Sequence, residues 1–151
     1  MNVHIYRTDL AWSGSTGQGY RSYDRTHSVR MGDTPSLTLS ADPAFRGDPS
    51  LPNPEQLLLA AASSCQLLSF LAVAARAGVD VVAYTDAARA IMPGDAVPVR
   101  ITAISLHVSV VVRGADEQTV RRLLEEAHEQ CYIASTLATP VDVTAEVEVL
   151  A

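Results

Sequence analysis

The chain has 151 residues, 48% hydrophobic and 19% charged, enough apolar material for one domain that buries about two-thirds of its unfolded surface. Seventeen acidic residues against 11 basic ones leave a net charge of -6, which excludes the clustered positive surface that a nucleic-acid duplex requires. All 11 basic residues are arginine, so a P-loop lysine, a Schiff-base lysine and a lysine-rich membrane patch are ruled out.

Residues 1–9 carry His4, Arg7 and Asp9 in place of an apolar leader, which predicts a cytoplasmic protein. Alternation in His4-Ile5-Tyr6-Arg7 and again over residues 19–31 predicts two strands. The serine and glycine cluster Ser13-Gly14-Ser15-Thr16-Gly17-Gln18-Gly19 would join them as an antiparallel hairpin. Leu37-Thr38-Leu39 adds a third strand, and residues 42–52, rich in proline, aspartate and glycine, form an irregular loop.

Asn53-Pro54-Glu55 then places a capping side chain at N-cap, proline at N1 and a carboxylate in the first turn of a helix that runs to about residue 77. Its residues 57–75 carry no charge and are nearly long enough to span a bilayer, which takes about 20 residues. Ser63, Ser64, Cys65, Gln66 and Ser69 interrupt the segment, and neither an aromatic belt nor an arginine cluster flanks it. It is therefore read as a long buried central helix.

Gly78 supplies the helix stop, and residues 79–92 and 99–112 follow as strands around Pro93-Gly94-Asp95. In the second of these, Ile104, Leu106, Val108, Val110 and Val112 share one face, with Ser105, His107 and Ser109 on the other. Asp116 caps a second helix whose stripe Val120, Leu123, Leu124, Ala127 and Cys131 has helical spacing. After Pro140, Val141, Val143, Ala145, Val147 and Val149 alternate with Asp142, Thr144, Glu146 and Glu148 in a final strand with an acidic outer face. The order of strands, helix, strands, helix and strand is an α+β pattern, read as a single domain over residues 1–151.

Cys65 and Cys131 are the only cysteines. They can be two small buried hydrophobes, or a thiol pair in which one sulfur attacks and the other resolves the oxidised product as a disulfide. Thiolate chemistry near neutral pH needs a positive neighbour, because an ordinary thiol is only a few per cent ionised there. Arg21, Arg25 and Arg46 are the candidate cations, with Glu55 the carboxylate that would hold a guanidinium fork in place. His4, His27, His107 and His128 are scattered over different elements without metal-ligand spacing, so no metal is expected. Gly14, Gly17 and Gly19 are in the wrong order for a dinucleotide fingerprint.

Asn53-Pro54-Glu55-Gln56-Leu57 followed by Cys65, and Ala127-His128 followed by Cys131 with Ser135-Thr136 beyond, resemble the paired signatures of the OsmC/Ohr family of osmotically inducible and organic hydroperoxide resistance proteins. The resemblance extends over the whole length. It implies an OsmC-like fold, with antiparallel sheets packed on the central helix and an intertwined homodimer. The implied activity is a cysteine peroxidase that reduces organic hydroperoxides to alcohols, with Cys65 peroxidatic, Cys131 resolving, and an arginine–glutamate pair activating the site. Glu55 carries over directly; for the arginine, Arg25 is favoured, then Arg21, with Arg46 third. Where family members often have proline after the second cysteine, this chain has Tyr132. No cofactor is implied beyond an external dithiol reductant, a lipoyl dithiol in Ohr-like members. A non-catalytic relative that binds an apolar ligand or senses oxidants is the other reading of the same fold. In either case a largely apolar pocket is expected, from leucines, Phe70 and Tyr132.

One consequence follows from helix geometry. Glu55 and Cys65 are ten residues apart, or about 15 Å at 1.5 Å per residue, too far for one arginine to touch both. A Glu55 that serves a Cys65 site would then serve the one in another subunit, with two central helices packed antiparallel at a twofold axis.

Overall fold

The computed structural model describes residues 2–151. The chain divides into two compact units, one running to Leu57 and the other from Leu58 to Ala151.

The first unit is a three-stranded antiparallel sheet in which β1 (Thr8–Ala11) pairs with β2 (His27–Met31), and β2 pairs with β3 (Leu37–Leu39). The expected hairpin is present, but its strands are shorter than the alternation suggests. Thr8 opposes Met31, and Gly32, at φ 59, turns the chain away immediately afterwards. His4 to Arg7 consequently have no strand to pair with, and alternation alone does not make a ladder. At the other end, Gly19 adopts φ 89 and residues 19–22 form turns, so the second strand begins only at His27. The loop expected over residues 42–52 contains one short 3-10 turn, Pro43–Phe45, capped by Asp42, whose carboxylate accepts from the Ala44 N–H at 2.7 Å.

Helix α1 (Pro54–Arg76) starts at the proline, as its cap signals require. Asn53 Oδ1 accepts from the Gln56 N–H at 2.9 Å, and Gln56 Oε1 accepts from the Asn53 N–H at 3.0 Å. This reciprocal box satisfies two peptide donors at once. Gly78, at φ 74, ends the helix, and the Val79 N–H returns to the Ala74 carbonyl at 2.9 Å.

In the second unit, β6 (Ala103–Arg113) is the spine of a four-stranded sheet. One of its edges is shared by β4 (Asp80–Asp86), opposite residues 108–113, and β5 (Arg89–Ile91), opposite residues 103–105. The single strand expected over residues 79–92 is thus broken in two at Ala87-Ala88. The other edge of β6 takes β7 (Val141–Val149), in parallel register from Ile104↔Val141 to Val112↔Val149. The sheet is therefore mixed where antiparallel pairing was expected. The helical connection between β6 and β7 is what permits this, since a parallel pair needs a crossover of a dozen residues or more.

That connection consists of α2 (Glu117–Glu129) and the short α3 (Tyr132–Thr136). Asp116 caps α2 as expected, accepting from the Thr119 N–H at 2.7 Å. The core of this unit joins Phe70, Val73 and Ala74 of α1, the alternate residues Ile104 to Val112 of β6, and Val120, Leu123, Leu124 and Ala127 of α2. Helix α1 is buried on this face, while Ala60, Ala61, Ser64, Leu68, Leu71, Ala72 and Ala75 are exposed on the other. A lone chain can bury only one stripe of a helix that is apolar all round.

Candidate functional site

The second unit brings the two cysteines together. Cys65 lies between Ala62 and Ser69 at the margin of the buried stripe of α1 and is half-buried, while Cys131 is fully buried; both are free thiols. Cys131 was expected to close the second helix. Instead α2 ends at Glu129, and Cys131 occupies the N-cap position of α3. Its side chain is nonetheless buried, as its place on the apolar stripe of α2 requires.

Burial pushes the Cys131 thiol above its ordinary range, and the neighbouring Cys65 thiol pushes it further; the backbone N–H groups of Ala134 and Ile133 oppose the rise. A thiol in this position is a poor nucleophile until something stabilises its anion.

Four further polar side chains belong to this neighbourhood, none of them read as a site residue in the sequence. Ser63 Oγ–H donates to Asp86 Oδ2, linking α1 to β4. Gln66, fully buried, donates through Nε2 to the Leu124 carbonyl at 3.3 Å and ties α1 to α2. Tyr84 stacks against Phe70 with ring centroids 5.9 Å apart, and its phenol is pushed well up, chiefly by burial and then by the charges of Asp86 and Cys131. Their signal was the period: Ser63, Gln66 and Phe70 recur at helical spacing, and Tyr84 and Asp86 alternate on one strand.

The other expected site residues lie in the first unit. Arg25 is held by its own loop: one guanidinium nitrogen donates to the Tyr23 carbonyl at 2.8 Å and the other to the Tyr20 carbonyl at 2.7 Å. Its Cζ lies 4.0 Å from the centroid of the Tyr23 ring and 4.8 Å from that of Tyr20. With Leu10, Trp12, Thr16 and His27, Arg25 and Tyr23 line a hollow of about 430 Å³. Arg21 is exposed, and Arg46 is an exposed residue at φ 67 ending the 3-10 turn. Glu55 sits in the first turn of α1 with its Oε2 buried and unpartnered. No Arg25–Glu55 ion pair forms within the chain.

Of the residues expected to line an apolar pocket, Phe70 and Tyr132 lie in different settings. Phe70 is consumed by the core, and Tyr132, at the first position of α3, is 82% exposed.

A family model described as OsmC-like protein matches residues 47–146. Among solved structures, an OsmC-like protein of unknown function from Vibrio cholerae superposes with a TM-score of 0.85 at 25% identity, over 95% of this chain and all of that one. An organic hydroperoxide resistance protein from Elizabethkingia anophelis gives a TM-score of 0.72 at 16% identity, over 99% of each chain. The organic hydroperoxide resistance protein OhrB of Bacillus subtilis gives 0.63 at 17% identity, over 96% of this chain and 98% of that one. No curated protein matches the sequence.

Proposed function

Because this chain belongs to the OsmC family, we propose that it is a cysteine peroxidase that reduces organic hydroperoxides. The observation that carries this reading is the meeting of its only two cysteines, from α1 and from the start of α3, in one partly buried place. The printed names of structural relatives such as those from Elizabethkingia and Bacillus point the same way.

In this reaction the Cys65 thiolate attacks the distal peroxide oxygen, the O–O bond breaks, and the departing alkoxide takes a proton to leave as the alcohol. The Cys131 sulfur then attacks the Cys65 sulfenic acid, forming the disulfide and releasing water. An external dithiol supplies two electrons to restore both thiols; a lipoyl dithiol is the family expectation. The reaction calls on no metal, haem or flavin. Its setting is the cytoplasm, where such a disulfide is transient.

The activating arginine and glutamate come from a twofold dimer in this proposal. Glu55 Oε2 is buried without a donor, which supports a donor arriving from a second subunit, and the uncovered apolar face of α1 supports helix-to-helix packing. Arg25 remains the favoured cation over Arg21 and Arg46, because it alone of the three lines an apolar hollow. That hollow also favours the second reading, a non-catalytic protein that holds an apolar ligand or senses oxidants.

Reduced protein mixed with cumene hydroperoxide decides between them. Loss of two thiols with formation of the alcohol, abolished in Cys65→Ser, is the outcome expected of the peroxidase. Unchanged thiols in the wild-type protein would leave only the binding reading.

A further inference from the structure

Helix α1 carries Cys65 on a surface whose rotation apolar packing defines poorly. Ala62, Val73 and Ala74 are buried, but Ala61, Leu68 and Ala72 on the exposed face are side chains of the same kind. A roll of the helix about its axis therefore exchanges one apolar surface for another at little hydrophobic cost. For chemistry the roll matters. Turning the helix by about 20° moves a sulfur carried about 4 Å from the axis by about 1.4 Å, and a misplacement of about 1 Å in a reacting group can cost about 100-fold in rate.

Two polar contacts flank Cys65 and restrict that freedom. Gln66, the next residue, is fully buried, and its Nε2 donates to the Leu124 carbonyl of α2 at 3.3 Å. Ser63, two residues before, donates through its hydroxyl to Asp86 Oδ2 on β4. Asp86 stands opposite the buried Val108, so its side chain is on the core face of the sheet. The helix is thus tied to α2 on one side and to the sheet on another. Leu124 begins a buried run with Ala127 and Cys131, at i, i+3 and i+7, so the Gln66 bond anchors α1 to the stripe that leads to the second sulfur. Stability does not account for the amide. Gln66 Oε1 is buried without a partner, and a half-satisfied amide in an apolar core costs more than an apolar side chain of the same length. The best-attested use of such a buried polar group is to fix register where apolar packing leaves it open.

Resting on the peroxidase reading above, we propose that Gln66 is a positioning residue for the resolving step: its bond to the Leu124 carbonyl, with the Ser63–Asp86 bond on the other flank, holds α1 at the rotation that presents the Cys65 sulfur to Cys131. In that step Cys131 loses its proton, its sulfur bonds to the Cys65 sulfur, the S–OH bond of the sulfenic acid breaks, and the hydroxide leaves with a proton as water. Gln66 exchanges no proton and acts through the orientation of the helix.

The test equilibrates the whole protein, without peroxide, against glutathione buffers of fixed ratio and reads the effective concentration of one cysteine toward the other. Gln66→Met keeps an unbranched side chain of similar length but lacks the donor. It is expected to lower the effective concentration about tenfold, with a urea midpoint equal to or above that of the wild type. Val73→Ala opens a cavity on the same buried stripe and takes part in neither tie; it is expected to lower the urea midpoint and leave the effective concentration unchanged. An effective concentration in Gln66→Met equal to that of the wild type, or one that Val73→Ala lowers as far, would overturn the proposal. Should Gln66→Met not fold, Ser63→Ala is read in its place: a fall of about tenfold supports the proposal, and equality with the wild type overturns it. With hydroperoxide present, Gln66→Met is expected to convert sulfenic acid to disulfide about tenfold more slowly. A wild type that consumes no hydroperoxide, yet holds the disulfide more strongly than Gln66→Met, would refute the peroxidase reading and uphold the positioning by Gln66.

Discussion

Truncating Leu68 to alanine tests the dimer on which the placement of Glu55 depends. Leu68 is 63% exposed in the single chain, and full burial of a leucine side chain is worth about 1.5–3 kcal/mol. A partner helix covering the remaining surface would therefore gain about 1–2 kcal/mol from this residue, and twofold symmetry doubles this to about 2–4 kcal/mol. At tenfold per 1.4 kcal/mol, Leu68→Ala should weaken self-association roughly 30- to 700-fold. The folded monomer should lose little, since an exposed side chain away from special features changes stability by about 0.5 kcal/mol or less. Sedimentation velocity over a micromolar dilution series reads the first quantity and urea unfolding of the monomer the second. Self-association equal to that of the wild type in Leu68→Ala, or a wild type that is monomeric throughout, would remove α1 from any interface. The assignment of Glu55 to a second subunit would fall with it.

Phe70→Ala removes a fully buried ring and its stacking partner for Tyr84; a loss of about 3–5 kcal/mol is expected in urea unfolding, and a loss below about 2 kcal/mol would contradict the packing described. Asn53→Ala removes the Oδ1 acceptor of the box that opens α1 while the backbone N–H of residue 53 keeps its bond to the Gln56 side chain, and it should cost about 0.5–2 kcal/mol, whereas Gln56→Ala, which keeps the Asn53 cap, should cost less. The Asp116 carboxyl is held below its ordinary value of 3.8, first by the Thr119 N–H and then by its hydroxyl. A depressed folded-state pKa means that this stabilisation is complete above about pH 4 and is lost as pH falls through the folded value. Asp116→Asn keeps a cap acceptor without the charge, so the difference between its melting temperature and that of the wild type should vary with pH only in that acid range.

Much of the fold is local physics and was open to reading in the sequence. Asn53-Pro54-Glu55 and Gly78 mark the ends of α1 because capping and a left-handed stop act within a few residues. The alternation in β6 and β7 is visible because a strand half-buried along its length must repeat every second residue. Asp116 announces α2 for the same local reason, and Cys65 and Cys131 stand out because there are no other cysteines.

Other features required a partner that no local pattern names. Residues 4–7 and 19–26 alternate like strands yet stay outside the ladder, because Gly32 and Gly19 turn the backbone away before a neighbour can pair with them. The break between β4 and β5 and the parallel register of β7 depend on how β6 distributes its two edges, a matter of long-range pairing. Cys131 lies on the expected core-facing stripe, but α2 stops two residues short of it and it opens α3 instead, a break that extrapolated helical spacing misses. The most consequential case is Tyr84 with Asp86: in the sequence they are ordinary members of a mixed strand, and only the register against β6 and the packing of Phe70 and Ser63 turn both toward the core face that they share with the thiols. A side chain's chemistry is written in the sequence, but its neighbours are set by contacts between segments far apart along the chain.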